Sequence, residues 1–350
     1  MVLAVVGGQF GSEAKGHVIG HLASRFLVHV RTGAPNAGHT VWHGGKEWKM
    51  RSVPCGWINP QATLIIGAGA VIDARLLEKE VHDLEAAGHD IYRRLWVDEK
   101  AILIDPAWHH ATEGGVSGAA HQLIGSTGEG VGPARMAKIA RGTFPSSNRW
   151  AQMERVKDNL DPRIQVADTV GMLADFIDEE VPILLEGTQG SGLSLTHGPW
   201  PYCTSADTNA AQLASDAGIP PQLVETLLVC RSYPIRVAGN SGPLPKETSW
   251  KTLQMENEHT TVTGKIRRVG EWDDEVVKRA IMLNRPKSIA LMFADYVDPS
   301  CAGHIHEVGP AVLRWTEDLE KRLGVPVSLV GTGPRTIVDM GEEYGCGSLI

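Results

Sequence analysis

Short apolar runs alternate with helical patterns along most of the chain, and this alternation limits the fold more than any other feature. The strand-like runs are Val2–Val6, Phe26–Val30, Thr63–Ile66, Ile102–Ile104, Ile183–Leu185, Ser288–Phe293 and Val327–Val330. The helical patterns are Lys15–Ser24, Ala74–Ala87, Asp273–Leu283 and Glu317–Leu323, and Gln222–Arg231 fits either a helix or a strand. Such alternation predicts an α/β fold with a mainly parallel central sheet flanked by helices.

The chain has 350 residues, enough for one large α/β domain or two average ones. It contains no stretch with the composition of a linker. Its most polar and least patterned region runs from Thr143 to Asp178. We therefore predict a single domain over residues 1–350, with a helical insertion near residues 143–180.

Charge and cysteine content exclude several classes of protein. The formal net charge of −8 argues against a nucleic-acid partner. The five cysteines are far apart and form no C-x-x-C pair, which is typical of a reducing compartment. The first residues carry no basic segment of the kind that opens a signal peptide, and the apolar stretch Ala62–Ile72 is too short to span a bilayer. We expect a cytoplasmic protein that binds no membrane.

Four glycine-rich loops follow or lie close to predicted strands, where ligands collect in open α/β sheets. They are Gly7–Gly16, Arg31–Thr40, Gly125–Pro133 and Glu186–Gly198, the last continuing to Thr208. The first has the order strand, glycines, lysine and helix, which suits phosphate binding, although its spacing is not that of a Walker A motif. Each loop alone is also compatible with an ordinary turn or surface loop. Together they favour two phosphorylated ligands, and hence a nucleotide-dependent transfer or ligation.

The motifs in these loops resemble those of the adenylosuccinate synthetase family. The family patterns G-x-Q-W-G-D-E-G-K-G, N-A-G-H-T, G-T-T-G-x-G-I-G-P, E-G-A-Q-G, H-G-T-Y-P-Y-V-T-S-S-N-T and T-G-R-x-R-R-x-G-W-x-D correspond in order to Gly7–Gly16, Asn36–Thr40, Gly125–Pro133, Glu186–Gly190, His197–Thr208 and Thr263–Asp273. The resemblance runs from residue 2 to about residue 340. It implies the P-loop-like fold of that family and a homodimer.

The resemblance also implies a two-step ligation. A nucleoside triphosphate phosphorylates the 6-oxygen of a purine monophosphate, and the amine of L-aspartate then displaces that phosphate. Phosphorylation makes sense because a 6-oxo group is a poor leaving group. Mg²⁺ and fixed donors would stabilise the charge on the transferring phosphoryl group.

The family's functional residues carry over by position. The triphosphate site would comprise Gly11, Ser12, Glu13, Ala14, Lys15, Gly16, Gly38, His39, Thr40, Asp295, Gly331, Thr332 and Gly333. The monophosphate site would comprise Ser12, Asn36, Ser126, Thr127, Arg141, Gln189, Thr204 and Lys265, with Arg141 reaching in from the partner subunit. The aspartate site would comprise Thr261, Val262, Thr263, Gly264, Lys265, Ile266 and Arg267.

Within these sites the resemblance implies specific roles. Lys15 would contact the transferring phosphate, and His39 would stabilise the 6-oxygen as an acid. Gln189 would contact the purine or its sugar. The Gly38 carbonyl would bind Mg²⁺, with Ser12 at the family's second metal-binding position. Arg267 would bind a carboxylate of aspartate.

Ser12 departs from the family pattern, because the family has its catalytic aspartate at this position. A serine is a poor base for the purine N1 proton and a poor magnesium ligand. The chain is then inactive, or another group supplies the base, or the substrate differs beside this residue. A guanine base carries a 2-amino group there, and a short neutral hydroxyl leaves room for it and accepts its hydrogen bond. This feature is similar to the viral branch of the family, the PurZ-type 2-aminoadenylosuccinate synthetases that act on dGMP.

Two further departures concern the donor and the sugar. The family's K-x-D motif, which reads guanine, is Phe293-Ala-Asp295 here, so we expect ATP as the donor, although Asp295 leaves GTP open. Lys265 replaces an arginine near the ribose hydroxyls and is compatible with a deoxyribose. The sequence thus favours dGMP, L-aspartate and ATP. The alternatives are an ordinary adenylosuccinate synthetase that uses IMP and GTP, and a non-catalytic nucleotide-binding relative.

Overall fold

The computed structural model describes residues 1–105, 124–141, 156–260 and 264–341. Its strands are β1 (Val2–Gly7), β2 (Val28–Arg31), β3 (His39–His43), β4 (Lys46–Met50), β5 (Thr63–Ile66), β6 (Val71–Ile72), β7 (Leu95–Asp98), β8 (Ile102–Leu103), β9 (Gln165–Ala167), β10 (Ile183–Glu186), β11 (Val224–Arg231), β12 (Ile235–Arg236), β13 (Glu247–Thr248), β14 (Arg268–Gly270), β15 (Ser288–Met292), β16 (Val327–Gly333) and β17 (Thr336–Asp339). Its helices are α1 (Lys15–Leu22), α2 (Ala74–Ala86), α3 (Val131–Ala140), α4 (Val156–Asn159), α5 (Thr169–Asp178), α6 (Ala210–Ala217), α7 (Asp274–Asn284) and α8 (Pro310–Leu323).

Ten of these strands form one central sheet in the order β17-β16-β15-β11-β1-β10-β2-β5-β7-β9. All neighbouring strands from β16 to β9 are parallel, and β17 closes the other edge as an antiparallel strand. The prediction of an α/β fold with a mainly parallel, helix-flanked sheet is confirmed.

The two faces of the sheet each bury an apolar core. Along β1, Leu3 and Val5 belong to one core cluster, whereas Val2, Ala4 and Val6 belong to the other. Side chains alternate between the two faces of a strand, so a strand buried on both faces must be apolar throughout. The continuous apolar run at the start of the sequence is therefore typical of a central strand, which is buried on both faces.

Several elements differ from the predicted ones. The run Ile102–Ile104 contributes only β8, which pairs with β6 outside the central sheet. The ambiguous run Gln222–Arg231 contains strand β11. Helix α8 begins at Pro310, seven residues before the predicted start at Glu317. A proline is well suited to the first helical position, since the N–H that it lacks would have no intrahelical partner there. The β3–β4 hairpin was not predicted.

The predicted insertion near residues 143–180 is described only from residue 156. This part contains the short helix α4, the edge strand β9 and helix α5, whose N-terminus is capped by the side chain of Asp168. Because β9 pairs with β7, this segment extends the central sheet and is not helical throughout. Residues 142–155 lie outside the described ranges, so the insertion and the single-domain organisation remain predictions.

The carboxyl ends of the central strands lie side by side and carry polar groups. Strands β2, β10 and β11 end at Arg31, Glu186 and Arg231, and a glycine-rich loop comes after β1. These strands are neighbours in the sheet, so their ends form one polar edge. Within the described ranges no helix is both long and apolar enough to cross a membrane.

Candidate active site

A cleft of about 840 Å³ lies at this polar edge and collects most of the predicted site residues. Its lining includes Gly11, Ser12, Glu13, Ala14, Lys15, Gly16, Asn36, Gly38, His39, Thr40, Ser126, Thr127, Gln189, Thr204, Lys265 and Arg267. These residues come from loops far apart in sequence. The cleft therefore unites the residues predicted for triphosphate, monophosphate and aspartate binding.

The phosphate loop between β1 and α1 is organised around the buried carboxylate of Glu13. The backbone N–H groups of Gln9 and Gly11 donate to its Oε1 at 3.1 and 2.8 Å, and Lys15 Nζ donates to its Oε2 at 2.6 Å. Glu13 and Lys15 are 0% and 3% exposed. The N–H groups of Lys15 and Gly16 open helix α1, where they have no intrahelical acceptor. The loop is thus fixed by its own carboxylate while the helix N-terminus still offers donors to an anion.

Backbone conformation gives the phosphate loop its shape. Gly11, Ser12 and Ala14 have φ angles of 87°, 56° and 68°. The last two are non-glycine residues in the left-handed region, which costs free energy and is typical of functional loops. Ser12 is exposed in the cleft, so its hydroxyl faces the space available to a ligand.

The loop after β10 packs directly on the phosphate loop. A Cβ atom at Gly190 would lie 2.4 Å from Glu13 Oε1 and 2.6 Å from the Gln9 carbonyl oxygen, so only glycine fits. Its neighbour Gln189 has a φ of 63° and lines the cleft. This close approach explains the glycine of the sequence motif and holds Gln189 beside the phosphate loop.

A second group, the Glu186 cluster, consists of Arg31, His39 and Glu186 together with the backbone N–H of Cys55. His39 Nδ1 lies 2.6 Å from Glu186 Oε1, and the Arg31 guanidinium donates to the same oxygen. The Cys55 N–H donates to Oε2 at 2.7 Å, and Arg31 also donates to the Ala37 carbonyl at 2.7 Å. With Nδ1 directed at the carboxylate, Nε2 is the ring nitrogen of His39 available to a ligand.

Burial and neighbouring charges set the ionisation of the Glu186 cluster. Burial, followed by the positive charge of Arg31, lowers the pKa of His39 to about 4. Burial alone would raise the pKa of Glu186, but Arg31 and the hydrogen bond from His39 outweigh it and hold this pKa at about 2. At neutral pH the cluster is therefore a neutral imidazole on an ionised carboxylate that is paired with Arg31.

The Glu258 cluster, formed by Arg231, Glu258, Arg267 and Tyr296, lies across the phosphate loop from the first. Arg231 donates to both oxygens of Glu258, Arg267 donates to Oε2 at 2.9 Å, and the Tyr296 hydroxyl donates to Oε1 at 3.1 Å. Arg231 also donates to the Ser12 carbonyl at 3.1 Å. Burial opposes ionisation, yet the two arginines hold the pKa of Glu258 at about 2.

Comparison with known proteins identifies the family of this chain. The adenylosuccinate synthetase family model matches residues 4–148 and 144–301. The chain belongs to the adenylosuccinate synthetase family. It is a carbon–nitrogen ligase of that type, and the family binds a purine nucleotide, aspartate and a nucleoside triphosphate.

Relatives match along nearly the whole chain. The adenylosuccinate synthetase of Thermococcus sibiricus is 34% identical over 349 residues, covering 97% of this chain and 98% of the relative. That of Methanococcus maripaludis is 36% identical over 344 residues, covering 95% and 96%.

Two solved structures share the fold. The succinoaminodeoxyadenylate synthetase (PurZ) of cyanophage S-2L, bound to dGMP and dATP as an energy donor, is 30% identical with a TM-score of 0.78, over 95% of this chain and 93% of that one. The fully ligated adenylosuccinate synthetase of Plasmodium falciparum is 20% identical with a TM-score of 0.82, over 97% and 100%.

Some residues carried over from the adenylosuccinate synthetase pattern do not line the cleft. Arg141 is exposed at the end of α3, and Gly264 and Ile266 lie outside the lining. Four residues predicted for the triphosphate site, Asp295, Gly331, Thr332 and Gly333, also lie outside it, although Phe293 and Pro334 beside them line it. Thr261, Val262 and Thr263 fall outside the described residues.

Asp207 occupies the asparagine position of the family's S-S-N-T motif and crosslinks its own loop. Its carboxylate accepts hydrogen bonds from the Ser194 hydroxyl at 2.5 Å and from the N–H and hydroxyl of Thr196 at 2.8 and 2.9 Å. Burial would raise the pKa of Asp207, but these donors lower it overall. The carboxylate thus ties two parts of the loop that carries Thr204.

Sequence reasoning missed Arg31, Glu186, Arg231, Arg236 and Glu258 as site residues. Arg236 lines the cleft, is 2% exposed, and donates to the carbonyls of Tyr202 and Pro243. One signal was present, because Arg31 and Glu186 directly follow predicted strands and Arg231 ends an apolar run that fits either a helix or a strand. Their partners lie far away in sequence, so no local pattern shows the pairing.

Proposed function

We propose that this ligase joins L-aspartate to C6 of dGMP at the expense of ATP, giving N6-succino-2-amino-2′-deoxyadenylate. The observation that carries the proposal is Ser12, a neutral side chain exposed in the cleft where the family has a carboxylate. A hydroxyl there leaves room for the 2-amino group of guanine and accepts its hydrogen bond. The 30% identity to a synthetase bound to dGMP and dATP supports the same substrate class.

The proposed reaction has two steps. The purine N1 gives up its proton to a base as the γ-phosphoryl group of ATP passes to the 6-oxygen, and ADP leaves. The aspartate amine then attacks C6, the C6–O bond breaks, phosphate leaves, and the amine loses a proton. Lys15 and the N–H groups at the start of α1 face the transferring group, and His39 Nε2 is available at the purine side.

The cleft offers oxygen ligands that suit Mg²⁺ in kind. Gly38 and Ser12 both line the cleft and would supply a carbonyl and a hydroxyl oxygen, whereas the Glu13 carboxylate accepts hydrogen bonds from Gly11 and Lys15. Mg²⁺ keeps several water or phosphate ligands, so two protein oxygens suffice. Bound with the donor, it would offset charge on the transferring phosphoryl group. The buried trio His39, Cys55 and Glu186 suits Mg²⁺ less, because Arg31 already neutralises its carboxylate.

Phe293 supports adenine over guanine as the donor base. It stands where the family has lysine, and its ring packs on the Arg231 guanidinium at 4.0 Å. It offers the donor base no hydrogen bond, so discrimination between guanine and adenine is reduced. Asp295 Oδ1 is buried without a hydrogen-bond partner in the described part of the chain, and the 6-amino group of adenine is a suitable donor to it.

We further propose that the enzyme works as a homodimer in which Arg141 binds the monophosphate of the partner's site. The observation in favour is its position. Arg141 is exposed at the end of α3 and outside its own cleft, whereas Ser126 and Thr127 on the preceding loop line that cleft.

An ordinary adenylosuccinate synthetase acting on IMP with GTP is the second candidate. The archaeal relatives that match the chain carry that name. Asp295 also favours it, because a carboxylate with a free oxygen can accept the N1–H and 2-amino donors of guanine. A non-catalytic relative is a third candidate, which the retained Lys15, His39 and Gln189 disfavour.

Phosphate release that depends on aspartate tests these alternatives. The purified protein with Mg²⁺ is offered dGMP or IMP against ATP or GTP. Turnover with dGMP and ATP supports the proposal, whereas turnover with IMP alone contradicts it. If no pair of substrates gives phosphate release, the protein is non-catalytic.

The Ser12→Asp variant tests the steric argument, with Ser12→Ala as the matched control. We expect the aspartate to shift the preference from dGMP toward IMP, because the carboxylate fills the space for the 2-amino group. The alanine variant keeps that space and should keep the preference for dGMP. A Ser12→Asp enzyme that is faster on dGMP would show that the steric argument is wrong.

A further inference from the structure

Glu258 joins segments that carry three different predicted subsites. Arg231 connects it to the phosphate loop, Arg267 belongs to the predicted aspartate segment, and Tyr296 is the neighbour of the donor-base residue Asp295. A single carboxylate thus receives hydrogen bonds from all three. Glu258 itself lies outside the six family motifs, so the resemblance assigns it no role.

Arg231 is anchored firmly on the side of the phosphate loop. Its side chain is 0% exposed. Its backbone N–H donates to Gln9 Oε1 at 3.0 Å, and Gln9 Nε2 donates back to its carbonyl at 3.0 Å. Its guanidinium stacks on Phe293 and donates to the Ser12 carbonyl. The position of the Ser12 peptide therefore depends on where this guanidinium is held.

Arg267 is tied to Glu258 by backbone as well as side chain. Its N–H donates to the Glu258 carbonyl at 2.8 Å, and its own carbonyl accepts the Trp250 indole N–H at 2.7 Å. Its Nε is buried without a hydrogen-bond partner among the described residues, and the side chain lines the cleft. A guanidinium held in place at the wall of a cleft suits a carboxylate ligand.

We propose that Glu258 is a positioning residue that presents Arg267 to the carboxylate of aspartate and, through Arg231, holds the Ser12 peptide of the phosphate loop, so that aspartate and donor binding are linked. This inference rests on the proposed function, because it takes aspartate and a nucleoside triphosphate as the ligands.

The physical basis is the sharing of one carboxylate by two guanidiniums, that of the buried Arg231 and that of the half-buried Arg267. An incoming aspartate carboxylate supplies a second negative charge to Arg267. Glu258 then interacts more fully with Arg231, which fixes the phosphate loop more tightly. Linkage is reciprocal, so the donor must strengthen aspartate binding by the same factor.

The test measures binding of β,γ-imido-ATP with Mg²⁺ by calorimetry at saturating dGMP, with and without saturating L-aspartate, together with steady-state KM and kcat. For the native protein we expect aspartate to tighten analogue binding by about fivefold or more. In Arg231→Met, Glu258 still holds Arg267 but is no longer connected to the Ser12 carbonyl. Aspartate should then still bind, and its effect on the analogue should fall toward onefold.

Glu258→Gln removes the shared charge and should raise the KM for aspartate more than it lowers kcat, with the linkage again lost. Glu247→Gln is the matched control, because Glu247 pairs with the neighbouring Arg268 at 2.6 Å outside the cleft. It should leave KM and linkage unchanged. Melting temperatures of all variants separate loss of fold from loss of positioning.

The outcomes are distinct. Native linkage that persists in both Arg231→Met and Glu258→Gln overturns the inference, as does turnover by a native protein that shows no linkage at all. If the native protein neither turns over with any substrate pair nor responds to aspartate, the proposed function fails and the inference falls with it.

Discussion

Glu186 and Glu258 neutralise buried arginines on opposite sides of the phosphate loop. The clusters around them are formed by different parts of the fold. Glu186 and Arg31 end adjacent parallel strands, and their registers pair them directly. Glu258 lies on a loop that meets the end of β11. Its side chain is 15% exposed, whereas that of Glu186 is 0% exposed. The sheet therefore sets the geometry of one cluster, whereas ion pairs between separate segments set that of the other.

This difference indicates that the two clusters have different roles at the cleft. The Glu186 cluster orients one ring, that of His39, with little freedom to move. The Glu258 cluster joins segments whose relative positions depend on their charges. Substitutions should therefore act mainly on stability in the first cluster and mainly on ligand binding in the second.

The largest expected effect is that of Glu186→Leu. It leaves Arg31 buried without its carboxylate, and we expect a loss of about 3–5 kcal/mol in the free energy of unfolding. Urea denaturation measures it. Glu80→Leu is the matched control, because Glu80 is buried but accepts only backbone N–H groups, from Arg51, Ser52 and Val53. An equal loss in both variants would contradict the special cost of an unpaired arginine.

Acidification should lower the stability of the protein through a buried histidine beside the Glu186 cluster. Burial lowers the pKa of His29, two residues before Arg31, to about 4. The unfolded chain binds a proton near pH 6.5, so stability falls as the pH drops from about 6.5 through 4, by at most about 3 kcal/mol. In His29→Gln the melting temperature should depend less steeply on pH in this window. The exposed His304, changed to glutamine, should leave the slope as it is.

Tyr296→Phe removes one of the donors to Glu258 and leaves both arginines. We expect a loss of about 1 kcal/mol in stability and a small rise in the KM for aspartate, with kcat nearly unchanged. Thermal unfolding and steady-state kinetics measure these quantities. A large fall in kcat with an unchanged KM would place Tyr296 in the chemical step instead.

The smallest effect should come from Glu247→Gln. The Glu247–Arg268 pair is partly exposed, and such pairs contribute about 0–1 kcal/mol. Urea denaturation at low and high salt checks this value. A loss comparable to that of Glu186→Leu would mean that burial does not distinguish the ion pairs of this protein.

The alternation of apolar runs and helices was sufficient to predict a mainly parallel central sheet, although its strands β7, β9 and β17 were not predicted. Runs such as Val2–Val6 and Ile289–Met292 are buried on both faces, so their sequences are apolar without interruption. The β3–β4 hairpin escaped prediction because β4 alternates exposed polar residues with the buried Trp48 and Met50 over only five positions. Such a short half-buried strand resembles a loop in sequence.

The cleft was predictable where a motif is local and unpredictable where it depends on sheet order. The phosphate loop and Gln189 could be placed from glycine patterns. Arg31 and Glu186 are 155 residues apart, and Arg231 and Glu258 belong to different structural elements. The strand order β11-β1-β10-β2 brings Arg31, Glu186 and Arg231 around one loop, and Glu258 joins them through its ion pair with Arg231.

The central position of β1 in the sheet also affects the folding of the chain during its synthesis on the ribosome. Its neighbours β10 and β11 begin at Ile183 and Val224, although β1 itself is synthesised long before them. At about 5–20 residues per second, a ribosome needs roughly 10–45 s to complete both partners. Until β10 has been made, the apolar strand β1 lacks both of its neighbours in the sheet, and such exposed apolar surface is prone to aggregation.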